Sequence, residues 1–450
     1  MHWADLPGKR IAVWGFGREG RAALAALRRH VGGDLTLFCS ADESAEARAF
    51  DPALNVRVGM PDGNALAAFD LVVKSPGISA YKPELIDAQS RGTRFTSGTA
   101  LWFAGHAGAR SVAVTGTKGK STTSALIAHL ARSLGVRTAL AGNIGLPLLE
   151  LDEAEAELWV IELSSFQTAE AADVDLGVVT SLYEEHLDWH GSRERYVADK
   201  LKLADVSRRL LVNAGQASLL AATAAHPART VFGDTSGWHV VDGWIARGEE
   251  RLAEASALAA PGLHNAINAC AALAALDLLG YDARAAIPAL ASFRPLPHRL
   301  QPLGERDGLT WVNDSISTTP LATLAALESL RGQDIALIVG GHDRGLDWSA
   351  FVDAMEYLPP KAIICQGANG HRIAEALVDA DVAGVERAAN LAEAVAIARV
   401  RLDGHGCVLM SPGAPSFDQF HDYAERGRYF ADLAGFDGHA ITGIEGLGIL

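Results

Sequence analysis

Residues Ser111–Thr123 read SVAVTGTKGKSTT, and the reading of this stretch decides the fold. An apolar run, Val112, Ala113 and Val114, ends in Thr115-Gly116, turns through Thr117-Lys118-Gly119 and opens a helix at Lys120-Ser121-Thr122. A strand, a glycine loop and a helix N-terminus in that order direct unpaired backbone N–H groups and the positive helix end at one point, which suits a phosphate. Lys120 is placed to reach the terminal phosphates, and the Ser121 hydroxyl to ligate Mg2+. The spacing is G-x-x-G-K-S-T, tighter than G-x-x-x-x-G-K-[ST], because Val114 stands where the longer form has its first glycine. An ordinary strand–turn–helix also fits the bare pattern. The flanks, apolar before and SALIAHLARSLG after, favour an ATP site built from Gly116, Thr117, Lys118, Gly119, Lys120, Ser121 and Thr122.

A chain of 450 residues is too long for one hydrophobic core and predicts about three domains. Its 49% hydrophobic and 21% charged residues describe a folded chain rather than a disordered one. The net charge of -15 argues against nucleic acid or an anionic membrane as partner, so an anionic substrate has to be met by local cations or helix ends. Cys39, Cys270, Cys365 and Cys407 lack C-x-x-C spacing, which predicts neither a zinc site nor a disulfide framework. The opening MHWADLPGKR lacks the pattern of a signal peptide, and no apolar stretch has the length of a membrane span. The expectation is a cytoplasmic protein, and a monomer, since no interface motif stands out.

The chain is expected to be α/β throughout. Arg10–Trp14 reads as a strand, followed by Gly15-Phe16-Gly17-Arg18-Glu19-Gly20 and a helix, with a second strand over Asp34–Cys39. This G-x-G-x-x-G usually suggests NAD, yet no acidic residue stands at the end of the second strand to hold a ribose. A nucleotide-sugar diphosphate satisfies the same physics. Leu71–Lys74, followed by Ser75-Pro76-Gly77-Ile78, is another strand ending in a tight loop. A Rossmann-like domain is expected over 1–107 and a central ATP-binding parallel sheet over 108–293, the latter with strands at Trp159–Leu163, Leu176–Thr180 and Arg209–Val212. A short antiparallel patch is expected within Gly233–Leu252, and an Ala/Leu-rich helix over Asn265–Leu279. A Rossmann-like C-terminal domain is expected over 294–450, with strands at Thr310–Asn313, Ile335–Gly340, Ala362–Cys365 and Cys407–Met410.

Several residues could carry chemistry. Glu162, in WVIELSSFQ, ends a strand beside the phosphate loop, where a carboxylate can hold Mg2+ or, alternatively, cap the next helix. His186, in SLYEEHLDWH, follows another strand and could join Glu162 and Ser121 around the metal. Lys200, in YVADKLKL, reads on its own as a solvated helix lysine. Pro297-His298-Arg299-Leu300 offers a rigid turn bearing a guanidinium suited to a phosphate. WVNDSISTT, GGHDRGLD and SPGAPSFDQF are three polar loops at strand ends, presenting Asp314, Arg344 and Ser416. Each alone is ordinary turn chemistry, whereas three on one sheet edge suggest a pocket for a small polar acid.

This ordered set (TGTKGKST, GNIG, ELSSFQ, EEHLDWHGS, ADKLKL, HNAINA, PHRL, NDS, GGHDRGLD, SPGAPSFDQF) closely resembles the Mur ligases of peptidoglycan synthesis, most of all their glutamate-adding MurD branch. The resemblance implies an ATP- and Mg2+-dependent ligase acting on UDP-N-acetylmuramoyl-L-alanine through an acyl phosphate. It implies catalytic roles for Lys120, Glu162, His186 and Lys200, with Ser121, Glu162 and His186 around magnesium and Lys200 at the position of a carbamylated lysine that helps hold a second magnesium ion. Asn265, Asn268, Arg299 and Asp314 then fall at nucleotide contacts; Asn143, Ser164 and Gln167 fall near the muramoyl substrate. Gly15, Gly17 and Gly20 fall at the UDP diphosphate, and Thr318, Arg344, Ser416, Phe417 and Tyr423 at the incoming amino acid. Where D-glutamate-adding members have lysine after NDS, lysine in the next loop and leucine after the last serine, this chain has Ile316, Arg344 and Phe417. Those departures resemble the variant branch that adds L-glutamate and leaves inversion to a separate epimerase; D-glutamate is the alternative. A nicotinamide-dependent dehydrogenase, a nucleotide-switch protein and a folylpolyglutamate-synthase-like ligase account for fewer of the motifs.

Overall fold

In the computed structural model, residues 1–183, 192–260 and 262–450 are described, and the chain divides into two compact units. The first comprises Met1–Glu254, Ile267–Leu290 and Gly446–Leu450; the second comprises Ala255–Ala266 and Ala291–Glu445.

The first unit holds two large sheets, parallel but for one short closing strand, and a small antiparallel meander. One is built from β1 (Ile11–Trp14), β2 (Leu35–Cys39), β3 (Asn55–Val58), β4 (Leu71–Lys74) and β5 (Arg94–Thr96), in the order β3-β2-β1-β4-β5. Every residue of β1, β2 and β4 is buried, as near-continuous apolar strands in a doubly covered parallel sheet must be. The other contains β6 (Ser111–Thr115), β7 (Thr138–Gly142), β8 (Leu158–Glu162), β9 (Val174–Val179), β10 (Ser207–Asn213) and β11 (Arg229–Phe232). Their order is β11-β10-β9-β6-β8-β7, which puts β6 between β8 and β9 in mid-sheet. Leu101 and Trp102, from the helix Gly98–Gly105, belong to the same apolar cluster as β1 and as Trp159 of β8, so the two sheets share one core. Trp102 and Trp159 lie 4.6 Å apart, centroid to centroid. The expected antiparallel patch is a meander of β12 (Trp238–Val241), β13 (Trp244–Arg247) and β14 (Glu250–Glu254).

The second unit is a sheet of β15 (Gln301–Arg306), β16 (Leu309–Asn313), β17 (Ile335–Val339), β18 (Ala362–Cys365), β19 (Val385–Arg387) and β20 (Gly406–Met410), in the order β15-β16-β20-β17-β18-β19. All pairs are parallel except β15 with β16. Alternate residues of β17 feed separate cores: Ile335, Leu337 and Val339 pack with Phe351 on one face, Ala336 and Ile338 with Trp311 and Phe430 on the other.

A last short strand, β21 (Gly448–Ile449), returns to the first unit and pairs antiparallel with β7 at the sheet edge. Arg132 of the helix Lys120–Ser133 fastens it, donating to the carbonyls of Gly446 at 2.6 Å, Gly448 at 2.9 Å and Thr138 at 2.7 Å. All four cysteines are buried and unbridged, and burial pushes the Cys270, Cys365 and Cys407 thiols up to about 12, which makes them inert. Among the described residues no helix is long and apolar enough to cross a membrane.

Candidate active site

The phosphate loop leaves the carboxyl end of β6, at the point where neighbouring strands depart to either side. Gly116 and Gly119 have φ of +153° and +85°, and a Cβ on Gly116 would stand 2.0 Å from Thr180 Oγ1. The loop is held from β9's end: Thr180 Oγ1 donates to the Lys118 carbonyl at 2.6 Å, and Ser181 Oγ accepts from the Lys118 N–H at 2.7 Å. Thr117 Oγ1 accepts from the Tyr183 N–H at 2.9 Å and lies 2.7 Å from the Tyr196 hydroxyl. The helix then starts at Lys120, with Lys120 and Ser121 half-buried and Thr122 buried. Asn268 joins this group, since Thr123 Oγ1 donates to its Oδ1 at 3.4 Å and a Cβ on Gly119 would come within 2.6 Å of that oxygen.

Glu162 ends β8, in register with Val114 of β6, and is fully buried. Its Oε1 accepts from Asn143 Nδ2 at 2.8 Å; its Oε2 is buried with no hydrogen-bond partner among the described residues. A lone carboxylate oxygen beside a phosphate loop is the donor that a hard cation takes, and the half-buried Ser121 hydroxyl suits the same ion. Lys200 lies in the helix Arg193–Val206 and is only 2% exposed, which corrects its reading as a solvated lysine. Its Nζ is 4.9 Å from the centroid of the Tyr196 ring, whose hydroxyl meets Thr117. His186 lies outside the described residues, and among the described residues no group of three or more His, Cys, Asp and Glu side chains gathers as a metal site.

At the carboxyl end of β1, Gly15 has φ +98°, and a Cβ there would stand 2.7 Å from Ser75 Oγ. A Cβ on Gly20 would stand 2.0 Å from the Gly15 carbonyl, whereas Gly17 faces open space. Ser75 Oγ is buried with no hydrogen-bond partner among the described residues, so this turn is a cradle with an unused hydroxyl in it. Arg18 reaches from this turn to the Gly145 carbonyl at 3.1 Å, next to the exposed Asn143. Ser164 and Gln167 are buried and bonded to each other, Oγ to Oε1 at 2.8 Å, and Gln167 Nε2 donates to Thr99 at 3.1 Å.

In the second unit the loops after β16, β17 and β20 lie side by side, because those strands are neighbours. Asp314 is buried and fully bonded: Oδ1 accepts from the Leu300 N–H at 3.0 Å, Oδ2 from Ser317 Oγ at 2.5 Å and Ser411 Oγ at 2.7 Å. Burial raises its pKa, opposed by those hydrogen bonds and by Arg299. The PHRL turn is strained, with His298 at φ +60° and Leu300 at +40°, and Arg299 is half-buried, its Nε without a partner among the described residues. His298 Nδ1 accepts from Asn313 Nδ2 at 3.0 Å, and the His298 ring meets the edge of Tyr423 at 5.9 Å. Asn265 and Ser416 are buried, Thr318 and Ile316 half-buried, and Arg344, Phe417 and Tyr423 exposed. Phe417 stands 6.3 Å from the His342 ring.

A model of the Mur ligase middle domain matches residues 114–276, and one of the Mur ligase glutamate ligase domain matches residues 298–413. Over the full length of both chains, this one is 48% identical to the UDP-N-acetylmuramoyl-L-alanine--L-glutamate ligases of Xanthomonas euvesicatoria and of Xylella fastidiosa strain Temecula1. The chain belongs to the Mur ligase family. A same-named protein of a Micromonospora species is 39% identical, covering 96% of this Mur ligase and 98% of the relative. Among solved structures, the MurC of Thermotoga maritima aligns at TM-score 0.62 and 21% identity, over 95% of this chain and 99% of that one. The MurF of Thermotoga maritima in complex with ADP aligns at 0.59 and 16%, over 97% of both; these two likenesses carry the fold.

One residue of this Mur ligase escaped the sequence reading. Arg426, 1% exposed, donates to the Ser315 carbonyl at 2.8 Å, the Ala414 carbonyl at 3.0 Å, the Pro415 carbonyl at 3.2 Å and Ser315 Oγ at 3.1 Å. It ties the loop after β16 to the loop after β20. Burial lowers its pKa to about 10, which still leaves it charged at neutral pH. The AERGRYF sequence gives no cue to this, since arginines on exposed helix faces look the same.

Proposed function

We propose that this Mur ligase joins L-glutamate to UDP-N-acetylmuramoyl-L-alanine, with ATP as the co-substrate and ADP and phosphate as products. The observation that carries this reading is the unpaired Glu162 Oε2 buried beside a glycine loop that opens a helix at Lys120. Lys120 and the N–H groups of that helix end neutralise the phosphates while the substrate carboxylate attacks the γ-phosphorus and ADP departs, leaving an acyl phosphate. The glutamate amine then attacks the acyl carbon, and the tetrahedral intermediate expels phosphate as the amine loses a proton. Ser121, Glu162 and His186 would hold one Mg2+ and a carbamylated Lys200 would help to hold a second, and the ions would supply charge neutralisation at the transferring phosphoryl group.

On the same reading Asn265, Asn268, Arg299 and Asp314 contact the nucleotide. Gly15, Gly17, Gly20 and Ser75 cradle the UDP diphosphate, with Asn143, Ser164 and Gln167 near the muramoyl group. Thr318, Arg344, Ser416, Phe417 and Tyr423 receive glutamate. We read the three large sheets as three domains, 1–107 for UDP, 108–293 for ATP and 294–450 for the amino acid, with β21 of the last stretch added to the sheet of the ATP domain. The enzyme works as a cytoplasmic monomer upstream of an epimerase. The choice of L-glutamate is supported by the names of the full-length relatives and by Ile316, Arg344 and Phe417. ADP release with UDP-N-acetylmuramoyl-L-alanine tests it: L-glutamate is expected to outpace D-glutamate at equal concentration. A preference for D-glutamate overturns the stereochemical reading, and turnover with neither overturns the ligase.

A further inference from the structure

The turn that starts at Ser75 continues to Tyr81, whose exposed ring carries its hydroxyl to 2.9 Å from both carboxylate oxygens of Asp199. Asp199 immediately precedes Lys200 and is itself only 4% exposed. Lys202 Nζ also reaches Asp199, at 2.7 Å, and the Arg195 guanidinium sits 5.1 Å from the centroid of the Tyr81 ring. From the other side, Thr168 Oγ1 donates to the Asp199 carbonyl at 2.7 Å, and the Thr168 N–H reaches the Ser164 carbonyl at 3.2 Å. One helical turn earlier, Tyr196 meets Thr117 of the phosphate loop. The helix segment 196–200 is therefore bonded to the Ser75 turn, the Ser164 loop and the phosphate loop.

We propose that Tyr81 and Asp199 are positioning residues of the ligase reaction: their hydrogen bond holds the Ser75 turn and Lys200 at a fixed spacing. This rests on the reading of that turn as the UDP-substrate cradle. A buried carboxylate keeps a strong, directional bond to a phenol, and the link joins a substrate loop to the helix that carries a catalytic lysine. Phosphoryl transfer to a carboxylate depends on sub-ångström placement, so slack in this link costs rate rather than folding.

Tyr81→Phe removes only the hydroxyl and keeps the ring under Arg195. It is expected to lower kcat for ADP release about tenfold and to raise KM for UDP-N-acetylmuramoyl-L-alanine, with KM for glutamate unchanged. Asp199→Ala should match it, Asp199→Asn should retain more activity, and the double variant Tyr81→Phe/Asp199→Ala should be no worse than the weaker single one. Wild-type kinetics in Tyr81→Phe, or losses that multiply in the double variant, overturn the link. If the wild-type protein releases no ADP, the functional reading falls instead, and amide exchange along Arg193–Val206 still decides the link. Faster exchange in Tyr81→Phe supports it; unchanged exchange overturns it.

Discussion

Glu162 keeps one oxygen on Asn143 and leaves the other, in a fully buried position, without a partner among the described residues, an arrangement that costs stability unless a ligand uses it. Glu162→Gln is therefore expected to lower ADP release by about 100-fold or more while the thermal midpoint of the ligand-free protein holds or rises. Steady-state assay beside thermal unfolding checks both halves. His298 presents the opposite case, a group held neutral. Burial first, then Arg428, lowers its pKa to about 4 from an ordinary 6.5. The unfolded chain then binds the proton that the folded one refuses, so stability is full above about pH 6.5 and falls as pH drops towards 4. The loss is of order 3 kcal/mol. Thermal midpoints across that window should fall steeply in the wild type and more gently in His298→Gln. The sequence placed Glu162 well, because strand ends can be read from an apolar run. It misjudged Lys200, which is buried with its ammonium group over the Tyr196 ring, a depth in the folded chain that local spacing does not encode.

The elements themselves sort by burial. Interior strands such as β6, β8 and β17 are buried over their whole length and apolar at their centres, and were legible as runs. The edge strands β3, β15 and β19 have no buried residue and mix polar with apolar side chains (NVRV, QPLGER, VER), so they carry no such signal and are recognised only by pairing. Glycine loops were legible for a different reason, since their spacing is itself the geometry. At the first of them the helix Arg18–His30 packs so closely on the Gly15 carbonyl that Gly20 has no room for a methyl group. Gly20→Ala is expected to cost about 2 kcal/mol or more and to raise KM for the UDP substrate. Chemical denaturation and substrate titration measure the two effects; an unchanged midpoint would show that the helix can shift freely. Arg426 lies at the other extreme. Its four bonds to carbonyls and a hydroxyl exist only because β16 and β20 are neighbours, a topological fact with no trace in the local sequence.

At the scale of the molecule, the motifs announced three nucleotide- or acid-binding sheets, and three large sheets are present. The first two lie in one compact unit and share the core that holds Trp102 and Trp159, which composition could not reveal. The functional reading predicts separate footprints in the two units. UDP-N-acetylmuramoyl-L-alanine at about 100 times its Kd should stabilise the first unit by about 2.7 kcal/mol, with amide protection over residues 11–20 and 75–81. Glutamate should protect the loops after β16, β17 and β20. Hydrogen exchange with each ligand alone makes the comparison, and the reverse pattern would contradict the assignment of the two sites.

The pairing of β21 with β7 imposes an order on biosynthesis. A ribosome delivers β6 to β11 early, then the whole second unit, and only afterwards residues 446–450. Until those residues emerge, the outer edge of β7 has no strand to pair with, and Arg132 has only the Thr138 carbonyl of the three that it finally binds. The β7 edge of the central sheet thus stays open while the second unit is made, a place where a holdase or a neighbouring nascent chain can dock before residues 446–450 do.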